Sequence, residues 1–77
     1  MDIRIGVIDI AKELTVEMPD DADAGQLQRL VQQAVAGGDA MLWLTDRRGN
    51  QIGVASAKLA YIEIGSGEDS RRIGFGG

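Results

Sequence analysis

The stretch DADAGQLQRLVQQAVAGG, residues 21–38, decides the fold, because it carries the one helical pattern in a chain of 77 residues. Asp23 makes a good N-cap, and Gln26 three positions later completes a capping-box pattern. Asp20 and Asp21 suit the positive end of the helix dipole. Leu27, Leu30, Val31, Ala34 and Val35 then recur at helical spacing, with Gln28, Arg29, Gln32 and Gln33 on the opposite side. Gly37 and Gly38 end the helix, one of them in the left-handed conformation. A lone helix shields only one face of a sheet, so the rest of the chain must supply a one-sided β-layer.

Upstream, IRIGVI alternates, with Ile3, Ile5 and Val7 on one face and Arg4, Gly6 and Ile8 on the other. ELTVEM repeats the pattern, with Leu14, Val16 and Met18 inward. A four-residue turn, Asp9 to Lys12, would pair Val7 with Leu14, Ile5 with Val16 and Ile3 with Met18 on one buried face. Pro19 then stops the second strand, having no N–H for the ladder. Downstream, AMLWLTDRRGNQIGVAS reads as a second hairpin. A three-residue loop, Arg47-Arg48-Gly49, opposes Leu44 to Ile52, Leu42 to Val54 and Trp43 to Gly53, and puts Gly49 where a type I turn with a bulge needs a left-handed residue. A four-residue loop would mix the faces. KLAYIEI is the last strand, with Ala60, Ile62 and Ile64 inward and Tyr61 and Glu63 outward. The expected fold is α+β and β-grasp-like, in the order ββαβββ, with one helix on one face of a mixed sheet. Residues 1–65 form a single domain, and 66–77 a Gly-rich link and C-terminal tail.

Composition removes several chemistries. The chain has no cysteine and no histidine, so disulfides, thiolate chemistry, the usual general base and most zinc sites are absent. A net charge of −4 and a pI near 4.5 disfavour nucleic-acid binding, which needs clustered cations to neutralise phosphates. No signal-peptide pattern or membrane-length apolar run is present, so the expectation is a cytoplasmic protein with no membrane partner.

Two resemblances follow. The opening MDIRIGVIDIAKELTVEM, the short acidic turn, the helix, the length and the closing Gly76-Gly77 resemble the layout of ubiquitin-like proteins. Across nearly the whole chain, IGV, KEL, LTDRRG, KLAYIEIG and RRIGFG resemble a family of small actinobacterial proteins, a domain of unknown function. That second resemblance implies a cytoplasmic protein with no assigned catalytic residues.

The candidate sites divide in the same way. In a ubiquitin-like modifier or sulfur carrier the chemistry sits on the terminal carboxylate, and Gly76 and Gly77 are narrow enough to thread into an activating enzyme. Phe75 departs from that pattern: burying its ring contributes about 1.5–3 kcal/mol, enough to fold a short tail back onto the sheet. Opposite the helix, alternation places Arg4, Ile8, Thr15, Met41, Trp43 and Tyr61 on one bare face, and an exposed aromatic cluster there suggests an interface. Ile73 and Phe75 could return to cover part of it. The interface residues are therefore Met41, Trp43, Tyr61 and Phe75. The loop TDRRGN reads as a solvated basic turn, and GSGEDS lacks the Lys-Ser/Thr pair of a phosphate loop. Asp20, Asp21 and Asp23 are explained by capping rather than by calcium, which needs more oxygen ligands. Glu13, Glu17 and Glu63 share an open face with no cleft to shift a pKa, so no catalytic residues, cofactor or metal are expected. The expectation is a non-enzymatic domain that binds a protein partner or forms a homo-oligomer; the alternative is a carrier acting through Gly77.

Overall fold

The computed structural model describes residues 1–65 and 71–75. In chain order the elements are β1 (Asp2–Val7), β2 (Leu14–Glu17), α1 (Ala24–Ala36), β3 (Met41–Thr45), β4 (Gln51–Ala55), a short helical turn at Ser56–Lys58, β5 (Leu59–Ile64) and β6 (Arg71–Gly74). The small α+β architecture read from the sequence is present. Its strands form a four-stranded sheet in the order β2-β1-β5-β6, with β3 and β4 as a separate hairpin. Every ladder among the described residues is antiparallel, where a single mixed sheet was expected.

Helix α1 starts and stops where its sequence indicates, with an Asp23 cap but no capping-box bond to Gln26 among the described residues. The Asp23 carboxylate accepts a hydrogen bond from Gly25 N–H at 2.8 Å, and Gly38 takes φ +76° just beyond the end. Leu27, Val31 and Ala34 are buried and Val35 is partly buried, but Leu30 is 46% exposed, so the apolar stripe is narrower than its spacing suggested.

In the four-stranded sheet, Leu14, Ile5, Ile62 and Ile73 form one row across all the strands. Ile3, Ile5, Ile62 and Ile64 are fully buried, as β-branched residues on the covered face of a central pair should be. The first hairpin departs from its expected register by two residues: Ile5 opposes Leu14 and Ile3 opposes Val16. A two-residue slip preserves which face each side chain occupies, so alternation alone could not distinguish the two registers. The longer connection leaves Val7 without a partner on β2, although it pairs with Leu59 on the other edge of β1, and Asp9 adopts φ +67° within it. Leu14, expected inward, is 44% exposed because it closes the row on the edge strand. A bulge at Ala60 lets Leu59 join the core alongside Ile62.

The second hairpin has the expected register. Leu44 opposes Ile52, Leu42 opposes Val54 and Trp43 opposes Gly53, with Gly49 at φ +86° in the loop. Leu42, Leu44 and Val54 join the same core as the sheet and helix. Strand β6 was not anticipated. It pairs with β5, continued by a hydrogen bond from Phe75 N–H to the Ala60 carbonyl at 2.9 Å. Ile73 and Phe75 pack against the core. The idea that they cover the face opposite the helix is thereby corrected: Ile73 stands beside the buried Ile62 and inherits its direction.

Candidate interaction surface

The four proposed interface residues separate into three settings. Met41 and Trp43 come together on the outer face of the hairpin, 38% and 58% exposed. Alternation along β3 turns them away from the core, since Leu42 and Leu44 are buried between them. The indole lies flat on the backbone of β4: a Cβ at Gly53 would stand 2.7 Å from Trp43 Cζ3 and 3.0 Å from Met41 Cε. Glycine leaves the room for this approach, and a side chain at position 53 would push the indole off the strand.

Tyr61 belongs to the other sheet and is half-buried. Its register neighbours are glycines on both sides, Gly6 on β1 and Gly74 on β6. A Cβ at Gly6 would collide with the ring. The Arg72 guanidinium covers the ring at 3.9 Å from its centroid, a cation–π contact. The phenol donates a hydrogen bond to Glu13 Oε2. That bond raises the phenol's pKa above its ordinary value, helped by desolvation and the Glu13 charge, while Arg72 pulls the other way. Beside it, Arg4 donates to Glu63 Oε1 at 2.6 Å across the β1–β5 ladder. Tyr61 is therefore engaged within the chain rather than presented as a bare ring. Phe75 is partly buried on the core side, and Gly76 and Gly77 lie outside the described residues.

The basic loop is a tightly bonded turn. The Asp46 carboxylate accepts from the backbone N–H of Arg48 at 2.9 Å and of Asn50 at 2.8 Å, and from Asn50 Nδ2 at 3.2 Å. Desolvation opposes its ionisation, but these bonds and the Arg48 charge outweigh it and set the pKa below the ordinary carboxylate value. A lowered folded-state pKa means the contribution is complete above the unfolded value, about 4, and is lost only as pH falls through the lower folded value. The Arg48 and Asn50 amide resonances should therefore hold steady down to about pH 4 and move below it. An NMR titration checks this, and Asp46→Asn should abolish the movement.

Two shallow depressions border these features. One, of 280 Å³, lies between β2 and the hairpin loop and includes Thr15, Glu17, Arg47, Arg48 and Asn50. Arg47 there donates its N–H to the Glu17 carbonyl at 2.8 Å and places its guanidinium 3.6 Å from the Glu17 carboxylate. The other, of 340 Å³, lies by the start of α1 against Ala22, Leu27 and Leu30. Sequence reasoning missed this second hollow because it assigned Leu30 to the core.

Among the described residues, no three acidic side chains converge as a metal site would require. Nor, among the described residues, is any helix long and apolar enough to cross a membrane. A search of curated proteins gives no match. Residues 1–76 do match a family described as a protein of unknown function, DUF3107, and a match over almost the whole chain places this protein in that family.

Proposed function

We propose that the chain is a small non-enzymatic interaction or regulatory module that binds a protein partner or assembles with itself through the outer face of the β3–β4 hairpin. The observation that carries this reading is the exposed Trp43, which lies over Gly53 beside Met41. Rigid, exposed aromatics supply large contact area at little entropic cost, which is why tryptophan is enriched at binding hot spots. Tyr61 and Phe75 take a supporting part. Their contacts with Arg72, Glu13 and the core hold the β5–β6 edge, so the binding surface narrows to Met41 and Trp43. A cytoplasmic setting fits a chain without cysteine. The element order ββαβββ, followed by β6, is what suggests a β-grasp-like arrangement.

Trp43→Ala should abolish or sharply weaken assembly while leaving the melting temperature within a few degrees of the wild type. Light scattering beside a thermal melt measures both. If the variant melts far lower with its association unchanged, the indole is a packing element and the reading fails. The carrier alternative requires β6 and Phe75 to detach so that Gly76 and Gly77 can enter an activating enzyme. The ladder to β5 and the Phe75–Ala60 hydrogen bond oppose that release. Intact-mass measurement of protein from its native cell, searched for a thiocarboxylate or adduct at Gly77, tests it directly.

A further inference from the structure

We infer that the free edge of β4 pairs antiparallel with β4 of a second copy, about a two-fold axis at Gly53. This deepens the interaction reading and rests on it.

The argument begins with hydrogen-bond parity. Asp46 N–H donates to the Asn50 carbonyl at 2.9 Å, and Ser56 N–H to the Ala40 carbonyl at 3.0 Å. In an antiparallel ladder bonded pairs alternate, so Leu44–Ile52 and Leu42–Val54 are bonded pairs as well. The N–H and C=O groups of Gln51, Gly53 and Ala55 consequently point away from β3. Among the described residues, no hydrogen bond outside the strand ladders reaches them. The opposite edge of the hairpin is different. The same parity turns Met41, Trp43, Thr45 and Arg47 outward from β3, and Arg47 N–H already bonds to Glu17 on β2. That edge is tied to the sheet at its loop end, whereas β4 makes no such bond among the described residues.

Exposed edges normally carry charge, proline or a bulge to discourage pairing. The far edge strand β6 has the exposed Arg72. Strand β4, Gln51-Ile52-Gly53-Val54-Ala55, has none of these devices, and its register with β3 runs without a break. An uncharged edge also spares a chain of net charge −4 from burying charge against its own copy.

The strand is self-complementary about Gly53. Gly53 would pair with Gly53 of the second copy and Gln51 with its Ala55, giving about six new backbone hydrogen bonds. On the outer face, Trp43, Gly53, Gly53 and Trp43 would stand in one row. Each indole already lies over its own glycine, so the two rings would roof the junction. On the inner face, Ile52 of each copy would meet Val54 of the other. Such an interface falls at the small end of those known, below about 1,200 Å², so the dimer should form at high rather than trace concentration.

Ala55→Pro tests the pairing with little disturbance to the monomer. Ala55 has φ −64°, the value proline imposes, and its N–H is one of those directed outward. Sedimentation equilibrium of the full chain, at up to about 1 mM, should show a wild-type dimer whose dissociation constant rises more than about tenfold in Ala55→Pro at an unchanged melting temperature. The second variant carries Gln51→Cys and Ala55→Cys in a chain that otherwise has no cysteine. Under mild oxidation it should yield a covalent dimer joined between positions 51 and 55 of different copies. A wild type that dimerises equally well with Ala55→Pro and gives no 51–55 crosslink overturns edge pairing, while leaving Trp43 as the contact by another geometry. A strictly monomeric wild type overturns it too, leaving only the version in which Trp43 meets a different protein.

Discussion

Ile62→Ala should remove about 3–4 kcal/mol of stability, the upper part of the range for deleting a buried branched side chain. Ile62 is fully buried and paired on both sides, with Ile5 on β1 and Ile73 on β6. Flanking strands on both sides limit how far the sheet can close over a vacated site, which favours a lasting cavity over collapse. A domain of 77 residues has about 4–12 kcal/mol of stability in total, so the loss removes a large share of it. Urea denaturation should show a much lower midpoint with an unchanged slope. A loss below about 1 kcal/mol would mean that the core relaxes freely and that the row through Ile5, Ile62 and Ile73 is not its centre.

Ile73→Asp is expected to act more locally but almost as strongly. A carboxylate beside Ile62 cannot remain ionised there without a partner, and its desolvation exceeds what the short β6 ladder returns. Strand β6 should therefore leave the sheet, forfeiting the partial burial of Ile73 and Phe75 and the stacking of Arg72 on Tyr61. Together these contributions amount to about 2–3 kcal/mol. Amide exchange gives the clearest readout. Protection should fall along the β6-facing side of β5 and persist on β1. Uniform loss across the sheet would show that β6 is an integral part of the cooperative unit.

The sequence made some of this structure readable and concealed the rest for physical reasons. The β3–β4 hairpin was legible to the residue because Gly49 fixes the turn and a single register puts Leu42, Leu44, Ile52 and Val54 on one side. The β1–β2 register was ambiguous because a slip of two keeps every side chain on its face. Strand β6 was hidden because Arg71-Arg72-Ile73-Gly74 offers one apolar residue and no alternation to detect. The outward direction of Trp43 and Tyr61 was legible, but not their placement on different sheets. Alternation gives a side chain's sign relative to its own strand and says nothing about where the hairpin separates from the sheet. Nor could it show that Gly6 is small in order to admit Tyr61, although a lone glycine in a β-branched strand is a signal of close approach.

The antiparallel union of β1 with β5 has a consequence for how the chain is made. Arg4 and Glu63, which meet across it, lie 59 positions apart. On a ribosome adding about 5–20 residues per second, β1 emerges seconds before its principal neighbour exists. Until then only the local hairpins and α1 can form, and Ile3 and Ile5 remain uncovered on one side. The nascent chain therefore passes through a sticky interval that ends when β5 emerges, and during it the binding of a chaperone would be most productive at the first strand.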